Sequence, residues 1–273
     1  MATDTLTPTA SPAPEQLPGA APGPVESLRR SYLLVKHNTL LRFRDPGQMI
    51  SYVVMPMVLM VVFKPLYVKA LHTGTLQAVT GPLVMFSVFA LSIVGNSIMV
   101  EREWRTWDRL RVTRASRTEL LIGKTVPAFV ILLVQQSVLL VFGCLVIGLP
   151  VPPTLGYLLA AVAIWGFTLL ALGAALATVV RSRGDLGMVS DLGAMLVSAI
   201  GGALVPVSLM PDWARHIAPV SPGYWAMSML HAAVDGNAGG MLRPALVCLA
   251  IGLAAGALAT YRLARGWGRS HLL

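Results

Sequence analysis

The sequence predicts an all-α polytopic membrane protein of six transmembrane helices, with amphipathic cytoplasmic helices before the first span and after the second. Three observations carry this prediction. The chain is 55% hydrophobic and only 12% charged, with mean hydropathy +0.70, whereas soluble domains carry about 25% charged residues. Uncharged stretches approach or reach the roughly 20 apolar residues needed to cross the hydrocarbon layer. The Lys and Arg residues gather in alternate connectors, the pattern of a topology with a fixed inside.

Residues 1–25 carry six prolines and almost no large apolar side chain, the composition of a disordered tail. A basic flank followed by an apolar stretch is missing from this end, so the expectation is an uncleaved first span rather than a signal peptide. Residues 26–46 form an amphipathic interfacial helix in which Leu28, Tyr32, Val35 and Phe43 share a face, with Arg29, Arg30, Lys36 and Arg44 elsewhere. The six-span domain occupies 47–262, with spans near 47–63, 79–100, 125–149, 155–180, 188–209 and 244–261, and residues 263–273 form a short tail. The first span is short, so Lys64 has to snorkel to the interface. Thr125 to Val180 holds no charge at all, yet Pro150, Pro152 and Pro153 interrupt it, which makes it a hairpin of two spans.

Counting Lys and Arg by segment fixes orientation. Residues 1–46 hold five, 101–124 seven, 181–187 two and 262–273 three; on the other side, 64–78 hold two, 150–154 none and 210–243 two. The bias of 17 against 4 places both termini in the cytoplasm. The net charge of +9 thus expresses topology rather than affinity for nucleic acid. His216 to Val234 is uncharged, but a seventh span there would carry Arg262, Arg265 and Arg269 outside. It reads instead as an extracytoplasmic segment, interfacial or re-entrant. Cys144 and Cys248 both lie in apolar runs, which suits neither a disulfide framework nor a metal cluster.

The stretch Glu101 to Lys124 is the exception to this greasiness, with seven cationic residues. At roughly 2.5–3.5 kcal/mol for each charge at the bilayer centre, it cannot cross. Trp104, Trp107 and Leu110 recur at steps of three on one helix flank, with Arg102, Arg105, Asp108 and Arg109 around them. The chemistry suits either a membrane-surface helix or a docking helix for a cytoplasmic protein. Gly123-Lys124-Thr125 invites a nucleotide reading, but a phosphate loop needs glycine five residues before that Gly, and Thr118 stands there. No ATP site is therefore expected in this chain. Five histidines without metal-ligand spacing, and no serine-protease pattern, argue against an enzyme.

Inside the spans, Asn96, Gln135, Gln136 and Ser137 are the uncharged polar residues open to two roles, lining a substrate path or bonding helix to helix. Asp191 lies about one turn inside the fifth span, either as a functional acid or paired with Arg181 or Arg183. Pro56, Pro127 and Pro206 can kink their helices, and Gly252 with Gly256 makes a close-packing face in the sixth span.

The run from Glu101 to Lys124, E-R-E-x-x-T-x-[DE]-R-L-x-V-T-x-x-S-R-x-E-L-L-x-G-K, resembles the loop after the second span in ABC-2 type permeases, the membrane subunits of bacterial ABC exporters. The daunorubicin-resistance type is the nearest subgroup. Leu209 to Leu230, with Pro211, Trp213 and Pro222, is similar to the family's segment after the fifth span. The resemblance implies two permease copies (or two related permeases) and two ATPase subunits in a bacterial inner membrane, with ATP and Mg held by the ATPases and no cofactor in this chain. It further implies that Glu101, Arg102, Glu103, Trp104, Trp107, Asp108, Arg109, Leu110, Ser116, Arg117 and Glu119 form a coupling helix resting on the ATPase, and that the amphipathic helix before the first span also touches it. Two departures stand out: the family commonly has glycine where Arg105 stands and proline where Arg114 stands. The expected function is the permease half of an exporter for a lipophilic drug, antibiotic, lipid or glycan, without nucleic-acid binding. The alternative is an ion-coupled secondary transporter or channel, which usually shows midplane ionisable residues or paired broken helices.

Overall fold

A computed structural model of the chain describes residues 47–89 and 117–264, with side chains from Thr125 to Arg262 in the second segment and without those of 48 and 49 in the first, and a few residues among 29–36 and 91–99. The tail 1–25, the stretch 101–116 and the end 265–273 lie outside the described residues. Of the expected amphipathic helix 26–46, Arg29, Tyr32, Leu33, Val35 and Lys36 are described, all helical.

Eight helices follow in order among the described residues: α1 Gly47–Ala70, α2 Gly74–Phe89, α3 Arg117–Phe142, α4 Leu155–Val179, α5 Arg183–Ile200, α6 Asp212–Ile217, α7 Pro222–Val234 and α8 Ala238–Ala264. Short 3₁₀ turns at Val207–Leu209 and Ala218–Val220 join the last elements, and a π-helical turn, Gly143–Ile147, extends α3. There is no strand among the described residues. Four stretches are long and apolar enough to cross a membrane: 50–70, 125–147, 155–179 and 238–262. Of the other two expected spans, α2 is apolar over its 16 described residues, and the described residues beyond it, Leu91, Ser92, Gly95, Asn96 and Met99, are helical too. The 18 residues of α5 include three charges, Arg183, Asp185 and Asp191.

Local chemistry sets the boundaries. Pro56 and Pro65 sit inside α1, which continues past Lys64; a chain in lipid has no water to compete for its backbone groups, so the helix persists through them. α5 begins with a capping box, in which the Ser182 hydroxyl accepts from the Asp185 N–H at 3.0 Å and the Asp185 carboxylate accepts from the Ser182 N–H at 3.2 Å. At the start of α7 the Ser221 hydroxyl accepts from the Gly223 N–H at 3.2 Å and donates to the Val197 carbonyl at 2.9 Å, tying the cap to α5. Pro222 stands at the first helical position, where no N–H is needed. The π turn closes at Gly148, whose φ of 83° is left-handed and suits glycine. Pro150, Pro152 and Pro153 then carry the chain to α4.

α2 forms the centre. Ala78, Val79, Leu83 and Val84 are fully buried, and it packs against α1, α3, α5 and α7. An uncharged, mostly apolar helix enclosed by protein, with its polar Gln77, Thr80 and Ser87 bonded inside, belongs to an interior rather than to a lipid face. α4 and α8 make the most extensive pair. A side chain at Gly252 would meet the Phe167 ring at 2.8 Å, and Thr168 donates to the Cys248 carbonyl at 3.0 Å. Small residues therefore let these two backbones approach closely. Trp165 of α4, fully buried, donates its indole N–H to Ser87 of α2 at 2.7 Å.

The connectors sort into two ends. Tyr67 donates to the Leu204 carbonyl at 2.6 Å, and Gly236 faces Pro153 so closely that a Cβ would lie 2.8 Å from its ring. At the opposite end Arg262 reaches the Thr178 carbonyl at 3.2 Å, and Gly95 lies against Leu186. The segment left open as interfacial or re-entrant is two helices, α6 and α7. The second is enclosed, with Ala226, Met229, Leu230 and Ala233 fully buried.

Candidate functional site

Of the expected coupling residues, Glu101, Arg102, Glu103, Trp104, Trp107, Asp108, Arg109, Leu110 and Ser116 lie outside the described residues. Arg117 opens α3 and Glu119 stands in its first turn. The helix then runs unbroken for 26 residues, roughly 39 Å at 1.5 Å per residue, into the middle of the bundle. Gly123, Lys124 and Thr125 are part of it. Their N–H groups belong to the helix ladder, so this segment lacks the looped backbone that wraps phosphates.

The candidate path residues separate. Gln135 and Gln136 are neighbours on α3 with different surroundings. Gln135 donates from Nε2 to the Tyr52 carbonyl of α1 at 3.1 Å, a helix-to-helix bond. Gln136 is fully buried beside Gly166 of α4, and neither its Nε2 nor its Oε1 has a hydrogen-bond partner among the described residues. A buried amide without partners costs about 1–3 kcal/mol, so it is the polar group in the bundle that most requires an explanation. Asn96 is half-buried, next to Gly95 where that residue meets Leu186. Asp191 is exposed on α5, on a face shared with the exposed Met188, Leu192 and Met195. Among the described residues no hydrogen bond joins Asn96, Gln135, Gln136 and Asp191 to one another.

A different polar cluster occupies the low-charge end. Gln77 of α2 donates from Nε2 to the Gly202 carbonyl at 2.8 Å and the Ala203 carbonyl at 3.3 Å, while Thr80, one turn on, contacts His231 of α7 at 2.9 Å. Gly81 is required because any side chain would collide with the Ala203 carbonyl, and Gly202, at φ 88°, turns the chain so that these carbonyls face α2. Sequence reasoning missed this cluster. Its only trace there is Gln77, Thr80 and Gly81 at helical spacing in an apolar run, and the partners lie more than 120 residues away. At the rim Arg215 donates to the Met210 and Ser208 carbonyls at 2.8 and 2.9 Å and pairs with Asp212 at 3.5 Å. The backbone bonds hold this turn; the pair to an exposed carboxylate adds little.

Comparison with known proteins identifies the architecture. The chain is 24% identical over 141 residues to the "Probable multidrug ABC transporter permease YbhR" of Escherichia coli strain K12, a match covering 51% of this chain and 38% of that protein. The same protein of Escherichia coli O157:H7 matches equally. The chain thus aligns with well under half the length of these relatives. Residues 30–234 match the family described as ABC-2 type transporter. With several apolar helices of spanning length and a family match over well more than half its residues, this chain belongs to the ABC-2 type transporter family of multi-pass membrane permeases.

Proposed function

We propose that this chain is the permease half of an ATP-driven exporter: six spans in a bacterial inner membrane, both termini cytoplasmic, two permease copies or relatives, and two separate ATPase subunits that bind ATP and Mg. The cargo is a lipophilic compound, in keeping with the multidrug label of the YbhR relatives. The supporting observation is α3. It leads from Arg117 and Glu119, the end of the expected coupling stretch, to Gln135 and Gln136 in the bundle. A stiff helix of this length transmits a displacement at its cytoplasmic end to the packed centre. ATPase closure would thereby shift the equilibrium between inward-open and outward-open permease pairs. The exposed apolar faces of α1 (Val54, Val58, Val61, Val62) and α5 (Leu192, Met195, Leu196) are available to lipid and to the second permease.

The test compares two carboxylate pairs. Glu103→Ala with Asp108→Ala removes negative charge from the coupling stretch, which can only favour an anionic membrane surface. If that stretch docks on an ATPase, losing a desolvated partner costs about 2–5 kcal/mol, some 30-fold or more in affinity. ATPase co-purification and export should then fall together. The control is Asp212→Ala with Asp235→Ala at the opposite end. Full ATPase association and full transport in the first pair would leave the stretch as a lipid anchor and refute the docking role.

A further inference from the structure

At the low-charge end a cavity of about 220 Å³ lies between the α1–α2 connector, residues 201–208 and α7. Its volume is below the roughly 300–1,000 Å³ of pockets for drug-sized ligands, so it suits a single ring rather than a whole lipophilic cargo molecule. Thr73, Gln77, Ser208, Tyr224, Ser228 and His231 supply its polar lining, and no Asp, Glu, Lys or Arg takes part.

The hydrogen-bonding character of this wall can be worked out atom by atom. Thr80 donates its hydroxyl proton to the Leu76 carbonyl at 2.8 Å, and its oxygen also lies 2.9 Å from the His231 Nε2. A neutral imidazole offers one donor and one acceptor nitrogen. Burial pushes the imidazole below its ordinary value, against the opposing pull of the Asp235 carboxylate. The Gln77 amide nitrogen has both protons engaged by the Gly202 and Ala203 carbonyls, leaving Oε1 as an acceptor. Four hydroxyls, of Thr73, Ser208, Tyr224 and Ser228, can donate or accept. The wall is thus uncharged, rich in acceptors and furnished with one aromatic ring. The lining itself offers no cation to an anion and no carboxylate to a cation; Arg215, on the Ser208 carbonyl, and Asp235, close enough to act on His231, stand outside it. A ligand with several O–H donors and an apolar C–H face satisfies every part of it.

We propose that this cavity binds a neutral sugar ring, either free or as the headgroup of a glycolipid. The site is separate from the export reading, since binding requires neither ATPase nor transport, and either proposal can fail without the other. The full chain is placed in phosphatidylcholine nanodiscs with Cys144→Ala, Cys248→Ala and Val207→Cys, and the rate of maleimide labelling at position 207, on the cavity wall, is followed. Probes are glucose in solution, glucosyl-diacylglycerol in the disc, and the charged analogues glucuronate and glucosamine. A saturating neutral probe should slow labelling about tenfold, the charged analogues should not slow it, and His231→Phe should abolish protection. Thr73→Val, at an exposed rim position that burdens no core packing, should weaken protection even if the histidine variant misfolds. Protection by glucose identifies a free sugar, and protection by the glycolipid alone identifies a headgroup. Absence of protection by either neutral probe, equal protection by the charged analogues, or undiminished protection in Thr73→Val would overturn the proposal.

Discussion

Replacing Gln136 by methionine should make this protein more stable. The amide is fully buried, with neither polar atom bonded among the described residues. It is held against Gly166, where the position of an added Cβ would lie 3.7 Å from the amide nitrogen and 3.2 Å from the Phe129 ring. Methionine keeps the unbranched shape and nearly the volume while discarding both desolvated groups, which is worth about 1–3 kcal/mol. At roughly 2–4 °C per kcal/mol for chains of this size, the melting temperature should rise by about 2–12 °C. The internal control is the adjacent residue. Gln135→Met breaks the bond to the Tyr52 carbonyl, so it should destabilise by about 0.5–1.5 kcal/mol. Both variants, purified in one detergent, are melted side by side. If Gln136→Met lowers the midpoint as far as Gln135→Met, the amide has a partner and the reasoning fails. Transport adds a second readout. A path residue should lose export while gaining stability, the usual exchange at functional sites, whereas a packing residue should leave export unchanged.

Other outcomes are equally concrete. With the native cysteines removed, cysteines at positions 72 and 238 should react with an impermeant reagent from outside, and those at 181 and 270 only from inside; external labelling at 270 would overturn the proposed orientation. The purified chain, free of any ATPase subunit, should bind no nucleotide in equilibrium dialysis, because Thr118 occupies the first glycine position of the phosphate-loop pattern and the segment is helical; measurable binding would refute this. Gly252→Val should cost about 1–3 kcal/mol through overpacking, since its Cβ would sit 2.8 Å from Phe167, whereas Gly193→Val, with nothing within 4 Å, should leave the melting midpoint within experimental error.

What the sequence reveals and what it hides follow from the range of each interaction. Apolar runs and the prolines between them are local signals, so the helices α1, α3, α4 and α8 can be read from them, though not their ends: α1 runs past the expected 63 to Ala70, α3 begins at Arg117 rather than 125, and α8 begins at Ala238 rather than 244. The small-residue face at Gly252 is legible for the same reason: its spacing is internal to one helix, and the structure puts it against Phe167 and Thr168. The cluster of Gln77, Thr80 and His231 is not legible, because its bonds join segments 125 to 151 residues apart and no periodicity announces which carbonyl a glutamine will meet. Gln135 and Gln136 look identical in sequence. Only the neighbouring helices separate a satisfied amide from an unsatisfied one.

The contacts between α4 and α8 have a mechanical consequence. The pair is fastened at the low-charge end where Gly236 abuts Pro153, in the middle by Thr168 and Cys248, and at the other end by Arg262 on the Thr178 carbonyl. Two rods joined at three points along their length cannot slide past one another without breaking all three, so the pair resists relative displacement. In the proposed transport cycle, relative motion then falls to α3, which enters from the charged side and ends in a π turn, a form of helix that gives locally without breaking.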